Sequence, residues 1–294
     1  MTRSDHTTQS PRVQGFFHGP TNTITYLVSD PATGAAAIID PVLDYDPAAA
    51  RTDDASIVQV LEAVREQGLD LKLILDTHAH ADHLSGADEI RHRTGAPIGI
   101  GGHITRVQKV FGALFEAHDV TPDGVVFDRL FTDGERVMLG SLEVEVIHTP
   151  GHTPACVSYH MGDAVFVGDT LFMPDYGTAR ADFPGGDART LYRSIHKLLA
   201  LPEATRLFVG HDYLPEGRTD YRWETTVGAQ KAGNIHVGGG VTEDDFVAMR
   251  EARDATLAVP KLILPSLQMN IRAGALPPAE ASGKRFLKTP INAI

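Results

Sequence analysis

Apolar residues recur along the 294-residue chain in two rhythms. Short apolar runs bounded by glycine, proline or aspartate predict strands at "TNTITYLVS" (21–29) and "AAAIIDP" (35–41), joined by the turn "DPATG", and at "LKLIL" (71–75) and "APIGIG" (96–101). Between them "DASIVQVLEAVREQGLD" places Ile57, Val58, Leu61 and Val64 at helical spacing and stops at Gly68. "GADEIRHRTG" and "HITRVQKVFGALF" predict two further helices. The second half repeats the scheme, with strands at "ERVMLG", "LEVEVIHTP", "CVSYHMG", "AVFVGD" and "TRLFVGHDY" and a helix at "DARTLYRSIHKLLAL". Beyond about residue 216 the chain turns more polar, with a helix at "TEDDFVAMREARDATL" and a proline-rich tail over 259–283. Two βαβ-like halves, sheet against sheet with helices outside, make a four-layer α/β sandwich. The polar residues 1–12 read as a disordered leader, residues 13–215 as the main domain, and 216–294 as an extension packed on that domain near the mouth of its site.

Chemistry is concentrated where strands run out into loops. "LILDTHAHADH", "VEVIHTPGHT", "AVFVGDTLF" and "RLFVGHDY" each carry histidine or aspartate just beyond an apolar run. Strands lying side by side would bring His78, His80, Asp82, His83, His152, Asp169 and His211 to one rim. Neutral imidazoles and carboxylates together suit a first-row divalent metal. One loop histidine alone is ordinarily a solvated residue; an H-x-H-x-D-H run with three ordered partners is not explained that way.

Composition narrows the partners. A formal charge of -12 argues against nucleic acid, whose phosphates such a surface repels. No run of about 18 apolar residues is present to span a membrane, and the N-terminus lacks the apolar core of a secretory signal. One cysteine, Cys156, excludes an intrachain disulfide framework and fits a reducing compartment, so the cytoplasm is expected.

The runs "THAHADH", "TPGHT", "GDTLF" and "GHDY", in that order, resemble the metallo-β-lactamase superfamily over about residues 13–215. The resemblance implies an αββα fold with residues 216–294 as a C-terminal extension. Departures select within it. β-Lactamases with a cysteine ligand need Cys where Asp169 stands, and flavodiiron proteins carry glutamate in place of His80. RNA-processing relatives have a large inserted domain and basic surfaces, neither of which is visible. Two types that handle glutathione conjugates are left, the glyoxalase II thioester hydrolases and the persulfide dioxygenases. "TPGHTPACVSYHMGDAVFVGDTLF", "ARADFPGGDARTLYRSIHKLLALPEATRLFVGHDY" and "LAVPKLILPSLQMNIRAG" are more similar to the dioxygenases, and "MPDYGTARADFPGGD" to their bacterial branch once labelled β-lactamase-like hydrolases.

That resemblance implies one iron(II) per chain held by His78, His152 and Asp169, with glutathione persulfide and O2 as substrates and sulfite and glutathione as products. His80, Asp82, His83 and His211 then orient the ligands. In the hydrolases, Asp82, His83 and His211 hold a second metal, and the motifs alone leave both arrangements open. Arg180 and Tyr213, with Lys231 and Arg272 behind them, are the candidates for gripping glutathione, although Arg180 has Asp182 nearby to pair with and Tyr213 has neighbours to pack on. Cys156 reads as a small buried hydrophobe, His148 as structural, and His103, His118 and His236 as surface residues. Glyoxalase II-like thioester hydrolysis is the alternative activity. A non-catalytic metal-binding protein of this fold is a further alternative, disfavoured because no motif residue has been lost. A homo-oligomer is compatible with all of these readings.

Overall fold

The period-2 strands divide their side chains between two cores. In the computed structural model, which describes residues 10–293, β1 (Arg12–His18), β2 (Thr23–Ser29) and β3 (Ala35–Ile39) open the chain. They are followed by β4 (Val42–Asp46), β5 (Arg51–Asp53), α1 (Ala55–Glu66) and β6 (Asp70–Leu75). Next come β7 (Leu84–Ser85), α2 (Ala87–Thr94), β8 (Ile98–Gly101), α3 (Ile104–Leu114) and β9 (Arg129–Phe131). β1, β2, β3, β6, β8 and β9 lie in that order in one mixed sheet, antiparallel through β3 and parallel beyond it. Ile24, Tyr26, Val28, Leu73 and Leu75 face the second sheet, while Leu27, Ile38 and Ile74 face helices.

The second sheet runs β10 (Arg136–Leu139), β11 (Leu142–His148), β12 (Val157–Met161), β13 (Ala164–Gly168), β14 (Arg206–Val209) and β15 (Glu224–Thr226). Only its β13–β14 pair is parallel. Phe166 and Phe208 meet the first sheet; Val165, Val167, Leu207 and Val209 point to the other side. There they pack on α4 (Ala188–Leu199), α5 (Val227–Gly233) and α6 (Glu243–Asp254). α1, α2, α3 and α7 (Ile263–Asn270) cover the outer face of the first sheet through Ile57, Ile90, Phe111 and Leu267. The layers are therefore helix, sheet, sheet, helix, the metallo-β-lactamase fold.

Three local expectations differ from the structure. Residues 1–9 of the supposed leader lie outside the described residues, while Arg12 is paired with Ser29 at the start of β1. The proline-rich tail contains α7: Pro260 precedes the helix and Pro265 falls in its first turn, where a missing N–H breaks no helical bond. His236 is 7% exposed, not a surface residue, because its Nδ1 accepts a bond from the Thr178 backbone N–H at 3.0 Å and it packs under Gly177. Among the described residues no helix is long and apolar enough to cross a membrane.

Candidate metal centre

The loops that leave β6, β11, β13 and β14 open at one end of the sandwich and carry the histidines and aspartates. Two glycines make those turns possible. Gly151 has φ 135°, and a Cβ there would meet the Leu191 backbone at 2.3 Å, so only glycine lets the turn before His152 pass α4. Gly168 has φ 48° with Thr77 at 2.5 Å from a built Cβ, so the turn before Asp169 packs directly on the loop holding His78.

His152 Nε2 lies 3.6 Å and His78 Nε2 4.0 Å from Asp169 Oδ2. On the other side His211 Nε2 lies 3.3 Å from Asp169 Oδ1 and 3.4 Å from Asp82 Oδ2. Asp169 thus presents one oxygen to each of two donor groups. Ligand atoms of His78, His152 and Asp169 fall within 4.8 Å of one another, and so do those of His80, Asp82 and His83. Asp40, Asp76 and His80 form a further buried acidic group beneath them.

The side chains themselves call for a cation. His78 Nε2, His80 Nδ1, His83 Nε2, His211 Nε2 and Asp169 Oδ1 are buried and have no hydrogen-bond partner. Each such atom costs about 1–3 kcal/mol if left unpaired, and five at one spot fit metal ligation. The remaining ring atoms are held so that lone pairs face inward. Thr77 donates its hydroxyl proton to Asp40 Oδ2 at 2.9 Å, so His78 Nδ1, 3.0 Å away, is the donor to Thr77 and its Nε2 is left as an acceptor. His80 Nε2–H donates to Asp40 Oδ1 at 3.0 Å, and His152 Nδ1–H to the Arg180 carbonyl at 2.8 Å. Burial, reinforced by adjacent imidazoles, pushes His78 and His80 well below the usual imidazole range. Burial opposes ionisation of Asp82, yet His211 and His83 beside it hold its carboxyl well below the usual range. Neutral imidazoles with ionised carboxylates are the forms that bind a metal.

A cavity of about 860 Å³ opens over this floor. Phe172, Tyr176, Phe183 and Tyr213 line it, and the C-terminal segment closes it with Arg250, Arg253, Leu257 and Lys261. Arg180 lines it too, but its fork is engaged: Nε and Nη2 bind Asp182 at 2.6 and 2.7 Å, and Nη1 donates to the Ala258 carbonyl at 2.7 Å. Tyr213 stacks on the His211 ring with centroids 5.4 Å apart. The other two proposed grips lie elsewhere. Lys231 sits on the exposed side of α5, and Arg272 is held by Asp119 at 2.7 Å; neither lines the cavity. Arg253 and Lys261 take their place in the wall, and neither was singled out from sequence. Lys261 stood in "LAVPK", a run that could have identified it.

The unassigned residues also find places. Cys156 is 2% exposed just before β12, is bonded to Thr153, and has its thiol pushed up to about 12 by burial. His148 Nε2 donates to the Pro154 carbonyl at 3.1 Å and its ring lies 4.5 Å from that of His103, while His118 is exposed. Asn270, at the end of α7, reaches the site loop: its Nδ2 donates to the carbonyls of His80 and His83, each at 2.8 Å.

Comparison with known proteins agrees with this architecture. A probable metallo-hydrolase of Burkholderia pseudomallei is 54% identical over 96% of this chain and 99% of its own length. Glyoxylase B2 of Dictyostelium discoideum is 48% identical over 90% of this chain and 92% of its own. Lower identities reach relatives named for two different activities. Human mitochondrial persulfide dioxygenase is 32% identical over 65% of this chain and 64% of its own. A hydroxyacylglutathione hydrolase of Rhodospirillum rubrum is 36% identical over 64% of this chain and 61% of its own. The crystal structure of ETHE1 from Myxococcus xanthus superposes with a TM-score of 0.72 at 31% identity, covering 90% of this chain and all of that one. The superfamily profile matches residues 18–211, which contain every histidine and aspartate of the centre, and the chain belongs to the metallo-β-lactamase superfamily.

Proposed function

We propose that the protein is a glutathione-dependent persulfide dioxygenase with one iron(II) per chain, held by His78, His152 and Asp169. The observation that carries this reading is the two-histidine, one-carboxylate set, of which His152 and Asp169 line a cavity whose far wall is the C-terminal segment 250–262 and His78 lies buried beside them. Similarity to the Myxococcus structure over nearly the whole chain supports it. Bound there, iron(II) would supply redox-active, Lewis-acidic positions for O2 and a sulfur ligand, the net electrons coming from the persulfide sulfur. The overall change is glutathione persulfide, O2 and water to glutathione, sulfite and protons.

The chain's own residues bind and enclose the substrate. Arg253 and Lys261, with Arg180 between Asp182 and the cavity, make a cationic wall for the two carboxylates of glutathione. Phe172, Phe183 and Tyr213 keep bulk water from the sulfur. The Asp40 carboxylate holds His80 and, through Thr77, His78 in fixed tautomers. Because its wall supplies part of the cavity, segment 216–294 acts with residues 13–215 as one catalytic unit. On this reading the protein works in the cytoplasm, where thiol-derived substrates and a reduced Cys156 both persist.

A second reading has its own observation. His83 Nε2 and His211 Nε2 are orphaned as well, and Asp169 faces both groups, as a binuclear thioester hydrolase requires. Metal analysis of anaerobically purified protein together with an oxygen electrode decides between them. The dioxygenase predicts about one iron per chain and O2 uptake that matches sulfite formed from glutathione persulfide. Two tightly bound metals, with S-lactoylglutathione cleaved and no O2 consumed, would establish the hydrolase instead.

A further inference from the structure

In the set His78, His152 and Asp169 the two histidines are held in different ways. His78 reaches the Asp40 carboxylate through the Thr77 hydroxyl. His152 Nδ1–H donates instead to a backbone oxygen, the Arg180 carbonyl, at 2.8 Å. That carbonyl belongs to the peptide group joining Arg180 to Ala181, and the N–H of the same group donates to Asp254 Oδ2 at 2.8 Å. A trans peptide is planar, with its C=O and N–H pointing in opposite directions. The two bonds therefore lie at opposite ends of one rigid unit. The line runs from the Asp254 carboxylate, through one peptide, to the His152 ring, whose Nε2 lies 3.6 Å from Asp169 Oδ2.

Asp254 is itself fixed. It ends α6, and its other oxygen, Oδ1, accepts from Arg250 Nε at 2.9 Å and lies 2.6 Å from Arg250 Nη2. Arg250 Nη1 donates in turn to the Thr178 carbonyl at 3.2 Å, and the Thr178 N–H donates to His236 Nδ1 at 3.0 Å. The extension thus grips residues 178–181, and the Arg180 carbonyl faces His152. His152, Ala181, Arg250 and Asp254 are all buried, so water screens the line little. Hydrogen bonds in series polarise one another in such surroundings. A carboxylate at the N–H end of the peptide makes the carbonyl at its other end a stronger acceptor. A stronger acceptor at Nδ1–H makes the opposite ring nitrogen a better donor to a metal.

We propose that Asp254 is a positioning residue for the metal centre, acting on His152 through the Arg180–Ala181 peptide. It fixes the plane of that peptide, and with it the orientation of the His152 ring. Its charge also raises the donor strength of His152 Nε2. Arg250 holds one carboxylate oxygen so that the other meets Ala181. No proton changes place in this role. The C-terminal extension then contributes to metal binding without supplying a ligand.

The role rests on the metal-centre reading but not on the choice between oxidation and thioester hydrolysis, and its test requires no turnover. Zinc is the probe, with chelator competition reading its affinity and proton NMR of the zinc-loaded protein reading the imidazole N–H signals. In Asp254→Ala the Ala181 N–H loses its acceptor. Zinc affinity is expected to fall about tenfold, the lower end for groups that orient a ligand, because a peptide intervenes. The His152 Nδ1–H signal should move upfield as its bond weakens, while those of His78 Nδ1–H and His80 Nε2–H stay in place. Arg250→Gln combined with Asp254→Asn keeps a neutral oxygen for Ala181 and an amide partner beside it, which separates position from charge. Its affinity and its His152 signal should fall between those of the parent and of Asp254→Ala. This double variant also carries the test should Asp254→Ala fail to fold. An affinity within about twofold of the parent in folded Asp254→Ala, or an unmoved His152 signal, overturns the role. So does a double variant that matches the parent in both measurements. Signals of His78, His80 and His152 that shift together would overturn it too, since α6 would then only support the fold. A parent that takes up no zinc would sink the metal-centre reading itself.

Discussion

Removing the Asn270 side chain should unfasten the metal-bearing loop. Asn270 is 3% exposed and makes three buried bonds to that loop. Its Nδ2 donates to the His80 and His83 carbonyls, and its Oδ1 accepts from the Ser85 backbone N–H, all at 2.8 Å. In Asn270→Ala two carbonyls and one N–H lose their partner. Each buried orphan costs about 1–3 kcal/mol. The three share one loop and are not independent, so a loss of roughly 3–5 kcal/mol is expected rather than the full sum. Against a typical domain stability of about 5–15 kcal/mol that is a large fraction. The same loop carries His78, His80, Asp82 and His83, so metal affinity should fall by about 10–100-fold, as for other groups that orient ligands. Asn270→Asp keeps the acceptor for Ser85 but sets a carboxylate against two carbonyl oxygens. It should be no better than alanine at neutral pH and should improve on acidification. Urea unfolding of metal-free protein reads the stability, and chelator competition reads the affinity. A loss below about 1 kcal/mol with unchanged affinity would show that α7 merely rests against the loop.

Two further outcomes follow from buried groups. Cys156, with its thiol at about 12 and 2% exposure, should not react with a thiol reagent at pH 8 until the protein is unfolded; rapid labelling of native protein would contradict its placement. His236 is lowered to about 4 by burial and by Arg250 and Arg253, so the unfolded chain binds more protons between about pH 6.5 and 4. Its contribution is complete above about pH 6.5 and is lost as pH falls toward 4, at most about 3 kcal/mol. His236→Gln should flatten urea-midpoint dependence in that window, and an unchanged slope would remove the assignment.

The seven histidines and aspartates that the structure gathers at the candidate metal centre were legible because they are encoded locally. Four of the seven sit within six residues, His78 to His83, on one loop after β6, and the others follow strands whose apolar alternation marks where each ends. The four-layer order was legible for a similar reason, since residues such as Val165 and Phe166 must point to opposite faces whatever lies there. β1 was missed because "RVQGFFH" carries little periodicity; it is held by pairing with β2 and by Trp223 closing over Gly15, both contacts outside the segment. α7 was hidden by its prolines, which sequence rules penalise unless the first turn can be located. The cavity wall was legible only in part: Arg180 and Tyr213 line it, while Lys231 and Arg272 do not. Arg272 and Lys261 lie on the same tail, yet one is drawn to Asp119 and the other faces the cavity. Asp254 reaches His152 only through the Arg180–Ala181 peptide, and Asn270 reaches His80 across 190 residues. Spacing along the backbone fixes which groups share a loop. Which groups share a wall depends on how each helix is rotated and seated by its apolar face, and that is decided only when the layers pack.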